Sequence, residues 1–287
     1  MMMEKIDSVP SIPARPRDSH KATMGRTLIV AGSRRYCGAG IIATGAALRG
    51  GAGLVHVAFP QSLYDVYASR LPEAILFPLP ETESGSIAAT ALDAVLAECE
   101  RMDSIAVGPG LSQDTATCKF ALGLYERTKC LAVFDADALN ALAWGESDLS
   151  RHDGARILTP HPGEYRRLMP KAEGTEVELA SALAVTCRGT VIYKGSCPVV
   201  CDGNRYSVIE VGTPALAHGG SGDVLTGLVA SLCARLKDGW TAALLGTYLH
   251  ARAGAMAGCA LTEECVTSTD IVDMLPRAFA ELAAERT

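Results

Sequence analysis

The stretch Gly219-Gly220-Ser221-Gly222-Asp223-Val224-Leu225-Thr226-Gly227 sets a glycine-rich turn directly before a segment of helical pattern running to Leu236. Three glycines among the first four residues open backbone conformations that other residues avoid, so the chain can turn sharply and present its amides. Amides at a helix start, with the positive end of the helix dipole, form a cradle for phosphate. Asp223 then brings a negative charge to the place where a phosphate would sit. That repulsion becomes useful if the carboxylate takes a proton from a hydroxyl attacking a phosphoryl group. A helix-capping aspartate in a tight turn accounts for the same residues, and the loop alone does not separate the two readings.

Working outward, short apolar runs at 27–31, 53–59, 74–79, 104–107, 131–134, 156–158 and 190–193 read as buried strands. Helical periods at 39–49, 87–101, 115–128 and 176–186 fall between them. Strands alternating with helices of this length predict a mostly parallel sheet covered on both faces, a three-layer α/β/α sandwich. The runs 198–201 and 205–209, joined by Asp202-Gly203-Asn204, predict an antiparallel hairpin at the sheet edge. From Asp223 onward, 223–236, 241–259 and 269–284 read as three successive helices. No change of composition marks a linker, so 20–287 is expected to be one domain, with a flexible segment over 1–19.

Other strand exits carry polar or glycine-rich turns, the places where open α/β sheets bind ligands. Thr159-Pro160-His161-Pro162-Gly163-Glu164 reads as a rigid loop aiming His161 and Glu164 into a crevice. Gly108-Pro109-Gly110 allows close approach of a ligand to the backbone. Ala31-Gly32-Ser33-Arg34-Arg35-Tyr36-Cys37-Gly38-Ala39-Gly40 joins a strand to a helix but fits neither the P-loop nor the dinucleotide fingerprint. Asp135 and Asp137 follow a strand and either assist Mg²⁺ or hold the adjoining loop; Lys194-Gly195-Ser196 offers a nucleotide a cation and free amides, or a solvated strand end.

The composition narrows the class. Among 287 residues, 48% are hydrophobic but only 5% aromatic, so small aliphatic side chains must do the packing. A net charge of −6 argues against a general nucleic-acid surface. The ten cysteines form no C-x-x-C pair, and Cys197 with Cys201 is their closest spacing, which reads as isolated thiols in a reducing, cytoplasmic setting. The first residues lack the apolar core of a signal peptide, and no uncharged run is long enough to span a membrane.

Taken in order, Ala31-Gly32-Ser33, Gly38-Ala39, AALRGGAGLV at 46–55, VGPGL at 107–111, FDADALN at 134–140, TPHPGE at 159–164, YKGS at 193–196 and GGSGDVLTG at 219–227 resemble the ADP-dependent (S)-NAD(P)H-hydrate dehydratases of the ribokinase-like superfamily. The resemblance runs from about His20 to Pro276, and no fused epimerase domain is expected. It implies that ADP, or in some branches ATP, phosphorylates the ring hydroxyl of hydrated NADH or NADPH, and that phosphate then leaves to restore the dihydronicotinamide. It implies Asp223 as the base contacting that hydroxyl, and Ala39, Gly110 and His161 as contacts of the hydrated dinucleotide. Lys194, Gly195, Ser196, Cys197 and Pro198 would hold the adenine nucleotide, and Gly220, Ser221 and Gly222 the phosphate. Mg²⁺ is implied as well, with Asp135 and Glu164 as candidate ligands. Partners would be small molecules, neither nucleic acid nor membrane, with a homo-oligomer, often a tetramer, and a separate epimerase in the same repair.

Two departures stand out: Ala22 where relatives carry glycine after His-Lys, and Ile209 where they carry asparagine ahead of the glycine loop. The second bears on nucleotide preference or on the phosphate hole. A ribokinase-like kinase of a vitamin precursor needs the same base and cradle; TPHPGE and AALRGGAGLV favour the dehydratase. A nucleotide-sensing module would not need Asp223, and a Rossmann oxidoreductase lacks its glycine fingerprint here.

Overall fold

The computed structural model describes residues 3–284. Its strands are β1 (Glu4–Lys5), β2 (Arg26–Val30), β3 (Leu54–Pro60), β4 (Ile75–Leu79), β5 (Ser104–Val107), β6 (Leu131–Phe134), β7 (Arg156–Leu158), β8 (Thr190–Tyr193), β9 (Val199–Cys201) and β10 (Arg205–Val208). The α-helices are α1 (Cys37–Arg49), α2 (Tyr64–Arg70), α3 (Leu92–Cys99), α4 (Thr115–Arg127), α5 (Ala136–Trp144), α6 (Pro162–Leu168), α7 (Glu176–Cys187), α8 (Ser221–Leu236), α9 (Gly239–Leu261) and α10 (Ser268–Ala284).

All ten strands form one sheet in the order β1-β10-β9-β8-β7-β6-β5-β2-β3-β4. Among the described residues only β9 runs against the others, pairing antiparallel with β8 and β10. The central strands are buried on both faces, so they are written as unbroken apolar runs such as Ser104-Ile105-Ala106-Val107 and Leu131-Ala132-Val133-Phe134. One core lies under α1, α8, α9 and α10, and a second under α3, α4, α5 and α7. The alanine and glycine content lets these layers approach closely. A Cβ at Gly227 on α8 would sit 1.9 Å from the Ala43 carbonyl oxygen of α1, which fixes glycine there. No helix among the described residues is long and apolar enough to cross a membrane.

Strand order reverses beside β2: β3 and β4 extend one way, β5 to β8 the other. The crevice outside the carboxyl ends of β2 and β5 is therefore the topological switch point, the usual ligand position in such sheets.

Several elements differ from the sequence expectations. The hairpin of β9 and β10 does not end the sheet, because Glu4 and Lys5, in the segment expected to be flexible, pair in parallel with Arg205 and Tyr206. Arg15 and Arg235 tie down more of that segment: Arg15 donates to the Gly51 carbonyl at 2.7 Å, and Arg235 donates to that of Pro13 at 2.6 Å. Helix α3 starts later than its period suggests, since Ile87 is fully buried and bridges Glu81 in extended form. Helices α2 and α5 fall in stretches to which the sequence assigns no element, and α6 begins inside the rigid loop expected over 159–164.

Candidate active site

The exits of β6 and β8 meet at an ion pair. Asp135 follows the last residue of β6 and is 1% exposed. Its Oδ1 accepts a 2.6 Å hydrogen bond from Lys194 Nζ, and its Oδ2 a 2.7 Å bond from Thr226 Oγ1 of α8. Burial alone would push this carboxyl up; the Lys194 ammonium and the hydrogen bonds from Lys194 and Thr226 outweigh it and hold it below the ordinary range. Burial likewise works against the Lys194 charge, but Asp135 and Glu164 overcome it and raise the lysine. Backbone packing keeps Asp135 in place: a Cβ at Gly108, where φ is +137°, would lie 1.8 Å from the Asp135 carbonyl oxygen.

Asp223 and Thr226 are one turn apart on α8 and share a face, so the helix that anchors Asp135 also aims Asp223. Asp223 is half-buried. Burial and the nearby Asp135 charge, with a smaller contribution from Asp137, raise its pKa to about 7 against the pull of Lys194. A carboxyl titrating there has the pKa that proton transfer near neutral pH calls for. The preceding turn works as the glycines suggested: Gly220 adopts φ +92°, and Ser268 Oγ of α10 donates to the Gly219 carbonyl at 3.1 Å.

Two cavities meet at Asp223. The first, about 360 Å³, is lined by Lys194, Gly195, Ser196 and Pro198 on one side and by Gly220, Ser221 and Gly222 on the other. The second, about 390 Å³, lies at the strand-order switch and is lined by Arg35, Tyr36, Ala39, Gly110 and Ser112. Asp223 lines both. Gly110, with φ +61°, has no room for a side chain, since a Cβ would touch Ala39 and Tyr36 at 2.8 Å.

The expected site residues thus fall into two groups that share one carboxylate. Two residues depart from that grouping, Cys197 and His161, the latter lining the first cavity rather than joining Ala39 and Gly110. Within the stretch expected to be a rigid loop, Pro162, Gly163 and Glu164 form the first turn of α6, with His161 as its N-cap. His161 Nδ1 accepts from the Gly163 amide at 2.9 Å, and Glu164 Oε2 accepts from the His161 amide at 2.9 Å, a capping box. Burial, followed by Lys194 and Arg167, lowers the His161 pKa and favours the neutral ring. Cys197 lines neither cavity. Ile209, the departure ahead of the glycine loop, also lies outside the first cavity; it is buried in the core and its amide donates to the Pro198 carbonyl at 2.9 Å.

Asp135 and Glu164 fit Mg²⁺ poorly. Both Asp135 oxygens are engaged by Lys194 and Thr226. Glu164 Oε2 accepts from the His161 amide and lies 3.6 Å from Lys194 Nζ, while Oε1 lies 3.3 Å from His161 Nε2. No group of three or more metal-binding side chains occurs among the described residues.

Sequence reasoning missed His250, which reaches the first cavity from the middle of α9 and hydrogen-bonds Ser221 Oγ through Nε2 at 3.2 Å. Burial drives its pKa down to about 4, so the ring is neutral. Its only signal was a polar residue on the buried face of a long apolar helix. Asp137 was noted but not placed; it lines the second cavity and accepts a 2.9 Å hydrogen bond from the Ser112 amide.

Residues 27–277 match the family model described as NAD(P)H-hydrate dehydratase. The chain belongs to the NAD(P)H-hydrate dehydratase family. The bifunctional NAD(P)H-hydrate repair enzyme of Moorella thermoacetica is 39% identical over 281 residues, covering 96% of this chain and 53% of that protein. Its counterpart from Gloeobacter violaceus is 39% identical over 243 residues, or 84% of this chain and 47% of that one. The chain therefore spans about half the length of the curated relatives it matches. Among solved structures, an ADP/ATP-dependent NAD(P)H-hydrate dehydratase from Bacillus subtilis, co-crystallised with ATP and Mg²⁺, superposes with a TM-score of 0.79 at 26% identity, covering 95% of each chain. A ribokinase-like superfamily protein from Enterococcus faecalis gives a TM-score of 0.83 at 24% identity, covering 98% of this chain and 96% of that one. The family's fold here is ribokinase-like, as the sequence predicted.

Proposed function

We propose that this member of the dehydratase family returns (S)-NADHX and (S)-NADPHX to NADH and NADPH with ADP or ATP as phosphoryl donor. The observation that carries this is the position of Asp223, on the wall common to a nucleotide-sized cavity and a second cavity at the strand switch. In this arrangement the nucleotide lies along Lys194–Pro198 with its terminal phosphate at the α8 N-terminus, and the hydrated ring enters beside Ala39 and Gly110. Asp223 takes the proton of the ring hydroxyl as its oxygen bonds to phosphorus and the bond to the donor's bridging oxygen breaks. Phosphate then leaves the ring carbon while the adjacent carbon loses a proton, restoring the double bond. One ADP gives one AMP and one inorganic phosphate, and ATP gives ADP and phosphate. Amides at the start of α8, with Lys194 nearby, offset the charge of the phosphoryl group in flight. Magnesium would serve by neutralising nucleotide phosphate charge.

A kinase of a small alcohol would use the same base and cradle, but the family match across 27–277 supports the dehydratase. The remaining features belong to the same proposal: a cytoplasmic setting, a homo-oligomer and an epimerase supplying the S form. Mixing the protein with NADHX or NADPHX and each nucleotide tests the proposal through absorbance at 340 nm. Recovery of absorbance with ADP or ATP is expected, and no recovery with either would overturn it.

A further inference from the structure

The turn from β2 into α1, residues 32–40, carries Arg35, Tyr36 and Ala39 on the wall of the second cavity. Tyr67 of α2 lines neither cavity, yet it supports that turn. It is fully buried, and its ring stacks on Phe59 of β3 with 4.1 Å between centroids. Its hydroxyl donates to the carbonyl of Cys37, the first residue of α1, at 3.2 Å. The same oxygen fills the room that glycine leaves at each end of the turn. A Cβ at Gly32 would lie 2.3 Å from it, and one at Gly40 2.1 Å. We infer that Tyr67 is a positioning residue for the hydrate: its hydroxyl sets how closely the 32–40 turn stands to Gly110, and so shapes the second cavity. The inference rests on the assignment of that cavity to the hydrated ring.

The turn has two supports. One is the exit of β5: Gly110 leaves Tyr36 and Ala39 so close that a Cβ there would touch both at 2.8 Å, and the Gly32 amide donates to the Pro109 carbonyl at 2.8 Å. The other is Tyr67 Oη, a single atom set against Gly32, Cys37 and Gly40 together. Burial, followed by Cys37 and Asp223, raises the phenol well above its ordinary range, so it remains a hydrogen-bond donor at working pH. Removing that oxygen leaves a gap under the turn and takes a donor from the Cys37 carbonyl. The turn can then settle into the gap, carrying Tyr36 and Ala39 out of register with the hydrate. The nucleotide wall at Lys194–Pro198 is built from the exit of β8, so its grip on ADP should stay as it is. A change of this kind acts on one substrate and not on the other.

Three variants of the whole chain test this: Tyr67→Phe, Gly40→Ala and the two combined. Tyr67→Phe should raise the hydrate KM about tenfold, while kcat and the ADP KM change less than about twofold. Alanine is the better helix former, so the chief obstacle to Gly40→Ala is Tyr67 Oη. Alone it should raise the hydrate KM about thirtyfold. Added to Tyr67→Phe it should cost less than about threefold more, because the nearest atom left is then ring carbon Cζ at 3.1 Å. ADP affinity, measured by calorimetry, should be the same in all four proteins. A hydrate KM unchanged in Tyr67→Phe, hydrate and ADP affinities falling together, or Gly40→Ala equally costly in both backgrounds would each overturn the inference. A parent that turns over while its hydrate KM ignores both substitutions overturns this inference alone. A parent with no recovery at 340 nm overturns the functional reading, and this inference with it.

Discussion

Lys194 Nζ lies 2.6 Å from Asp135 Oδ1, joining the exit of β8 to that of β6 across the intervening β7. The pair is buried, and through Thr226 it is bonded to the helix that bears Asp223. It fixes the distance between the nucleotide-side cation and the proposed base. Its removal should therefore cost both stability and turnover. Lys194→Ala leaves the Asp135 charge unpaired in the core, an effect of about 3–5 kcal/mol, visible as a drop in Tm of about 10 °C. Lys194→Met with Asp135→Asn removes both charges and should recover much of that stability, but not the activity.

Asp223 titrates at about 7, so its conjugate base forms over the neutral range. Activity under limiting hydrate should rise about tenfold per pH unit below 6 and level off above 8. Asp223→Asn should lower kcat by about 10³-fold or more while nucleotide affinity changes little. Both are read in pH-resolved 340 nm assays and in calorimetric titration with ADP.

The same carboxyl has an opposite effect on stability. The folded chain raises its pKa from 3.8 to about 7, so the unfolded chain releases the proton first. The stability linked to Asp223 is complete below pH 4 and is lost as pH rises through 7. Asp223→Asn should thus match the parent near pH 4 and exceed it at pH 8.5 by on the order of 2 kcal/mol, allowing for solvent in the two cavities. Thermal melts at the two pH values check the crossover.

His250 holds Ser221 at the N-terminal end of α8, where the proposed phosphate site lies. His250→Phe keeps the ring volume and removes the hydrogen bond, which should raise the nucleotide KM about fivefold and change kcat less than twofold. With its pKa near 4, His250 should add no limb to the pH profile of the parent above pH 5.5. Steady-state kinetics of the variant with ADP and with ATP resolve the split.

The sheet was largely legible because its central strands are buried on both faces and must be written as continuous apolar runs bounded by turn residues. The short helices were not: Asp135-Ala136-Asp137 and His161-Pro162-Gly163 carry the residues of a turn, and only the tertiary fit of Gly108 against Asp135 or the capping box of Glu164 shows that a helix follows. Asp223 was legible as a candidate base, but its place between two cavities was not, since that depends on the strand switch bringing Ala39 and Gly110 to the same helix end. Asp135 was read with metal in mind because a lysine 59 positions away gives no local signal of pairing. His250 was missed for a similar reason, since a single polar residue in an apolar helix does not say what it faces.

The central claim is that a phosphoryl group passes to the hydrate beside Asp223 and is then expelled. The most direct measurement is product stoichiometry in a single incubation with NADHX and ADP, counting NADH, AMP and inorganic phosphate together. The account predicts one of each per turnover, with all three absent in Asp223→Asn. AMP formed with phosphate retained on the ring, or NADH restored without nucleotide consumed, would contradict it.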